Sequence, residues 1–384
     1  MKVAVVGVGQ TRMGEIWEKS LRDLSLEAGS LALQDAGLEG KDIEALFIGN
    51  MSAGRFIGQE HLGALMTEQA GLLPIPATRC EAACASGALA FRKALFSILS
   101  GHHEIVMVGG AEKMTDLSTG QAVATLASAG DQEWESHIGL TFAGLYALMA
   151  RYYMEKYGLT REELALVPVK NHMHAMKNPY AQYRYEITVE DVINSPMISD
   201  PLRLLDCSPI SDGAAAIIIA GEKVAKKFSS PVWFIGGGHA SDTVSLHGRK
   251  SLSSLSAAIK AAEIAYRQAG VKPKDIDMAE VHDCFSIAEI MAYEDLGFAP
   301  KGKGKELLIS GETKIGGRMP VNTDGGLKVG HPVGATGIKQ IIEIVRQLRG
   351  KACNQVRDAK IGLAHNVGGS GATAIVNIFS REGG

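Results

Sequence analysis

Apolar and polar positions along the chain trace one plan twice. MKVAVVGVGQ opens it with a short apolar run broken by glycines, which predicts a first strand. Leu31–Asn50, LALQDAGLEGKDIEALFIGN, reads as the end of an amphipathic helix, an Ala-Gly stop at Gly37, a Lys-Asp-Ile turn and then a strand. Ile264–Asp283, IAYRQAGVKPKDIDMAEVHD, reads the same way with its stop at Gly270, at a constant offset of 233 residues from Leu31 to Ile264 and from Asn50 to Asp283. A second pair follows in the same order. CASGALAFRKALFSILSG from Cys84 and GATGIKQIIEIVRQLRG from Gly334 each predict a small-residue loop opening a helix that ends at glycine. In the latter Ile338, Ile341, Ile342, Val345 and Leu348 keep helical spacing on one face. The third pair, SDGAAAIIIAG from Ser211 and GSGATAIVNIF from Gly369, predicts small residues leading into an apolar strand.

Three matches in one order predict two homologous α/β halves, residues 1–240 and 241–384, with an insertion at about 114–200 in the first half alone. That insertion holds ALMARYYMEKYGLTREELALV, with helical text, and KNHMHAMKNPYAQYR, read as a loop. A lid or substrate-binding excursion is expected of it, with a packing insert as the alternative.

Composition narrows the class. The 384 residues exceed the roughly 250–300 that a single core usually supports, as two halves require. Hydrophobic residues at 46% and charged residues at 21% fit an ordinary soluble α/β composition rather than a disordered or membrane one. Net charge is -3 with no long block of one sign, so neither nucleic acid nor a membrane surface is an expected partner. The opening run reads as a first strand rather than a signal peptide, and no other stretch reaches about 18 apolar residues. Five cysteines without a CxxC pair fit reduced thiols, so a cytoplasmic location is expected.

Four loops at predicted strand-to-helix junctions carry the candidate chemistry, since open α/β sheets place ligands there. EAACASG puts Cys84 before a helix whose apolar positions are Leu89, Leu95 and Leu99, where N–H groups and the dipole favour a thiolate. A small buried thiol is the alternative for Cys84, and the expected state of Cys80, Cys207 and Cys353. AEVHDCFSIAE follows a buried strand, and Ser286 with Glu289 reads as a capping box, leaving His282 and Cys284 on the connecting turn. GGLKVGHPVGATG holds His331 on a loop stiffened by Pro332. AHNVGGSGAT, from Ala364 to Thr373, offers glycines for close backbone approach and N–H groups for an anion. His172 with His174, His102 with His103 and Cys80 with Cys84 lack the spacing of a structural zinc site, so no metal is expected. GVGQTRMG lacks the third glycine of a nucleotide loop.

ACASG, VHDCF, VGHPVGATG and HNVGGSG, in that order in a duplicated chain, resemble the thiolase superfamily over nearly all 384 residues. HDCF, where many thiolases carry NEAF, is similar to the sterol-carrier-protein-type thiolases and archaeal acetyl-CoA acetyltransferases. The resemblance implies a five-layered αβαβα fold of two similar halves with an inserted loop domain. It also implies reversible Claisen condensation or thiolysis of acyl-CoA thioesters, with coenzyme A thioesters as substrates and no cofactor. By the same resemblance Cys84 is acylated, His331 takes its proton, His282 donates to the substrate thioester oxygen and Cys284 moves the α-proton. His365, which stands where many thiolases carry a second cysteine, would line an oxyanion site with Asn366 and the backbone of Gly368 and Gly369. Implied partners are a second copy, as homodimer or dimer of dimers, and 3-hydroxy-3-methylglutaryl-CoA synthase of the mevalonate pathway. The alternatives are a β-ketoacyl synthase, which lacks GHP and this last loop, or a non-catalytic acyl-CoA-binding subunit.

Overall fold

The computed structural model describes residues 2–382. Its strands in chain order are β1 (Val3–Gln10), β2 (Ala45–Gly49), β3 (Ala77–Cys80), β4 (Ile105–Glu112), β5 (Met197–Ser199), β6 (Leu202–Arg203), β7 (Gly213–Gly221), β8 (Val232–Ser241), β9 (Met278–Glu280), β10 (Ile361–Gly368) and β11 (Thr373–Ser380). β5 and β6 form a small hairpin, and the other nine form one sheet in the order β3-β2-β4-β7-β1-β8-β11-β10-β9. The order is symmetric about the β1–β8 junction. β2 runs parallel to β4, as β9 does to β10, and the inner neighbours in each half are antiparallel. Even β3 has a counterpart, because Val321 bridges Ala279 in parallel at the outer side of β9.

Among the described residues only Val3–Val5 and Val232–Phe234 join the halves within the sheet. Helix Ser86–Leu99 and helix Thr336–Leu348 lie against each other between the two half-sheets, while Leu21–Ala36 and Ser256–Ala269 cover the outer faces. The layers are therefore αβαβα, as expected, with the two β layers continuous through the β1–β8 ladder. Phe91, Leu95 and Ile98 of the first inner helix meet Ile338, Ile341, Ile342 and Val345 of the second, together with Ile217, Ile219 and Phe379 of the strands. The helices cross at equivalent glycines. A Cβ on Gly337 would lie 2.3 Å from the Ala88 nitrogen, and one on Gly87 would lie 2.8 Å from the Gly334 oxygen.

The insert is a support. Helix Phe142–Tyr157 starts at Thr141, whose hydroxyl accepts from Gly144 N, and helix Arg161–Ala175 starts at Thr160 with Glu163 completing a capping box. The second helix runs through Pro168 to Ala175, so KNHMHA is helical where a loop was expected. Tyr146, Tyr153, Leu164 and Val167 are buried in one core with Ile287, Ile290 and Met291 of helix Ser286–Asp295. Lys170 pairs with Glu289 at 2.5 Å. That pairing displaces the expected capping box: Ser286 is already helical, its hydroxyl donates to Asp206 Oδ1 at 2.8 Å, and Glu289 serves the insert instead. Among the described residues no helix is long and apolar enough to cross a membrane.

Candidate active site

Cys84 sits on a turn held open by its neighbours. Ala83 has φ 51°, a left-handed conformation that costs a residue with a Cβ roughly 1–2 kcal/mol. The Ser86 hydroxyl donates to Ala83 O at 2.6 Å and accepts from Ala82 N at 2.9 Å, and Glu81 Oε1 accepts from Ala83 N at 2.6 Å. These bonds offset the strain and turn Cys84 towards the second half, just ahead of the helix that begins at Ser86. The backbone N–H groups of Gly369 and of Cys84 itself approach the sulfur and favour its anion, yet burial outweighs them and pushes the thiol pKa well up. A resting thiolate, which the helix terminus alone suggested, is therefore not what this site holds.

His331 and His282 flank that sulfur with opposite tautomers. Thr336 spends its only hydroxyl hydrogen on Pro332 O at 2.9 Å, so at 2.7 Å it accepts from His331 Nδ1–H, leaving Nε2 with a bare lone pair. The Ser211 hydroxyl fixes the loop by accepting from His331 N at 3.0 Å. His282 is the reverse case. The Asn366 amide donates to its Nδ1 at 3.1 Å, so the proton is on Nε2, which is buried and has no hydrogen-bond partner among the described residues. The rings stand 5.2 Å apart at 78°, and the Cys84 sulfur and one nitrogen of each histidine lie within 4.8 Å of one another. Burial first, then nearby lysines, lowers the His331 pKa to about 3, and burial with His331 lowers that of His282 well below its ordinary value. Both rings are neutral at physiological pH. Among the described residues this triangle is also the one set of three or more donors that could hold a metal ion, and none of the pairs weighed from sequence forms such a set.

Cys284 is 5% exposed, and an anion on its sulfur would raise the Cys84 pKa further. Burial pushes the Cys284 pKa up to about 12 against the charge of Lys328 and the hydroxyl of Tyr146. Tyr146, from the insert, stacks on Phe285 at 4.7 Å and donates to Gly369 O at 3.2 Å. His365 and Asn366 stand on opposite faces of β10. Asn366 faces the inner layer, where its Oδ1 approaches Gly337, whereas Leu363 and Val367, on the His365 side, share a core with Cys284 and Tyr146. Both His365 nitrogens are buried with no hydrogen-bond partner among the described residues, and burial lowers its pKa to about 4. A Cβ on Gly368 would lie 2.3 Å from Ala82 O, and Gly369 takes φ 62°, so both glycines are required beside the Cys84 turn.

Two buried carboxyls hold these loops. Asp283 accepts from Leu327 N and from Asn171 Nδ2, both at 2.8 Å, which ties the turn of His282 and Cys284 to the insert. Glu112, at the end of β4, accepts from Met51 N, Ser52 N, Asn50 Nδ2 and Gly334 N at 2.9 to 3.1 Å, joining the β2 loop to the loop of His331. Sequence alone did not single out Tyr146, Asn171, Glu112 or Ser211. Thr336 was within sight, inside the quoted VGATG.

The family model described as "Thiolase, N-terminal domain" matches residues 3–223, and "Thiolase C-terminal domain-like" matches 238–381. The chain belongs to the thiolase family. This thiolase is 53% identical over 382 residues, 99% of each chain, to the acetyl-CoA acetyltransferase of Methanothermobacter thermautotrophicus. It is 35% identical to rabbit (Oryctolagus cuniculus) sterol carrier protein 2, over 98% of this chain and 72% of the other. Among solved structures, the Ltp2-ChsH2(DUF35) aldolase matches with TM-score 0.86 at 28% identity, over 98% of this chain and 97% of that one. Human mitochondrial 3-ketoacyl-CoA thiolase in complex with CoA matches with TM-score 0.76 at 21% identity, over 99% and 98%. The protein is an acyltransferase of the thiolase type.

Proposed function

We propose that this thiolase is an acetyl-CoA C-acetyltransferase that joins two acetyl-CoA molecules to acetoacetyl-CoA and reverses the reaction. The observation that carries the reading is the pair of opposed tautomers around Cys84: a bare nitrogen on His331 and a free N–H on His282. Cys84 attacks the thioester carbonyl as its proton passes to His331 Nε2, and the N–H groups of Cys84 and Gly369 receive the developing oxyanion. The departing CoA sulfur takes the proton of Cys284, which leaves Cys284 as a thiolate and His331 charged. A second acetyl-CoA then accepts a hydrogen bond from His282 Nε2–H and loses an α-proton to Cys284. The carbanion attacks the acetyl group, acetoacetyl-CoA is released, and the Cys84 sulfur recovers its proton from His331. The route needs coenzyme A thioesters and no cofactor.

The same proposal includes assembly. Relatives named as a thiolase subunit, benzoylsuccinyl-CoA thiolase subunit BbsB, and as an aldolase with ChsH2(DUF35) support the idea that chains of this kind work with other proteins. We read this one as a homodimer or pair of dimers with 3-hydroxy-3-methylglutaryl-CoA synthase as a candidate partner in the mevalonate pathway.

Acetoacetyl-CoA thiolysis by the isolated chain, with longer 3-ketoacyl-CoAs alongside, tests the activity. Cys84→Ala should abolish both acetylation and thiolysis. Cys284→Ala should lose about 10²- to 10⁴-fold in thiolysis, the range for removing a general acid-base. His282→Ala should lose roughly 10²- to 10³-fold, as for one oxyanion donor. Near-normal thiolysis by Cys284→Ala would move the second acid-base role to His365.

A further inference from the structure

Tyr146 touches the turns of both cysteines, through Phe285 and through Gly369, although it lies far from both in sequence. It comes from helix Phe142–Tyr157, is 1% exposed, and lies with its ring on Phe285, the residue after Cys284. Its hydroxyl donates to Gly369 O at 3.2 Å, and the N–H of that same Gly369 approaches the Cys84 sulfur. A phenol has one hydrogen to give. A bond of that length to a neutral carbonyl is a weak claim on it, whereas an anionic sulfur beside it is a stronger acceptor.

We propose that Tyr146 is a positioning residue for the second cysteine, its O–H resting on the Gly369 carbonyl while Cys284 is a thiol and turning to the Cys284 sulfur when that sulfur is a thiolate. This rests on the reading of Cys284 as the group that moves the α-proton. No proton is transferred to or from Tyr146. The proton that leaves Cys284 goes to the departing CoA sulfur, and its replacement comes from the substrate α-carbon. Tyr146 supplies a hydrogen bond during the interval between them. Lys328, then the Tyr146 hydroxyl and then the Phe285 backbone N–H favour the Cys284 anion against its burial, which agrees with this role. Lys328, which also donates to Asp206 O at 2.5 Å, acts as a nearby positive charge, whereas Tyr146 has a single hydrogen that can pass from one acceptor to the other. The insert thereby contributes a group to the chemistry as well as its packing.

Tyr146→Phe keeps the ring and its stack on Phe285 and removes the O–H alone. The Cys284 thiolate is read directly, in the Cys84→Ala background, by the rate of its alkylation with iodoacetamide at fixed pH, located by peptide mass mapping. Far below the thiol pKa this rate follows the thiolate fraction. Loss of one hydrogen bond to a charged group shifts a pKa by about one to two units, so the rate should fall about ten- to a hundredfold. Incorporating 3-fluorotyrosine in place of tyrosine in the chain, which sharpens the phenol as a donor, should raise the rate. This second arm does not depend on the variant folding. A purely structural tyrosine would not give opposite shifts on removing and strengthening one hydrogen. An unchanged or increased rate in folded Tyr146→Phe overturns the proposal, as does an unchanged or decreased rate with 3-fluorotyrosine. Thiolysis by Tyr146→Phe separates this inference from the reading beneath it. If alkylation slows and thiolysis does not, Tyr146 supports the thiolate as proposed and Cys284 is not the acid-base.

Discussion

Two imidazoles in one buried space differ because Thr336 accepts from one and Asn366 donates to the other. Neither assignment depends on charge, since burial keeps both rings neutral. The pH dependence of acylation follows. His331 has its pKa lowered to about 3, so its accepting nitrogen is lost only as pH falls through that value and is intact throughout the range where a free imidazole titrates. Single-turnover acetylation of Cys84 by acetyl-CoA should therefore show no acid limb near the ordinary histidine value of about 6.5. A rate that halves at that pH would mean His331 is solvated or paired with an anion. The motifs GHP and HDCF were legible as residues that converge, but the tautomers were not, because each depends on a partner in a different loop or strand.

At the scale of elements, the crossing of helices Ser86–Leu99 and Thr336–Leu348 positions the nucleophile. The glycines at the crossing let the backbones meet, and the same contact sets Asn366, because its Oδ1 would lie 2.4 Å from a Cβ on Gly337. Gly337→Ala should thus destabilise the fold by about 1–3 kcal/mol, the usual cost of overpacking, and displace the amide that fixes His282. A lowered urea midpoint together with reduced thiolysis is the expected result, and wild-type values for both would show that the helices separate freely. The helical text, the Ala-Gly stops and the duplicated order were readable, and Gly37 and Gly270 do take left-handed conformations at φ 67° and 70°. The capping box at Ser286 was misleading for a physical reason: Glu289 gains more from buried Lys170 and Asn171 than from an N-terminal backbone amide.

For the molecule as a whole, the sheet order leaves β3 at an edge, with its other side bonded to β2 and with Phe96, 49% exposed, lining one pocket with Thr78, Arg79 and Cys80. An unpaired edge beside apolar side chains favours pairing with a second copy about a twofold axis. Light scattering at micromolar concentration should give a dimer or a multiple of one, and a monomer would contradict it. The sequence by itself determined the duplication, the α/β layers, the family motifs and the residues that meet at the site, because hydrophobic period, helix stops and glycine turns are written within a few neighbouring positions. Only the tertiary structure decided that the insert supports the HDCF turn, while Ser128 and Ala129 of the same insert line a pocket with Ala83 and Gly369. It also brought Tyr146 and Asn171 to that turn from more than a hundred residues away. Finally, it decided that Cys84 rests as a thiol. The helix terminus that favours a thiolate is a local feature, whereas desolvation comes from every layer that closes over the sulfur, and here desolvation is the larger effect.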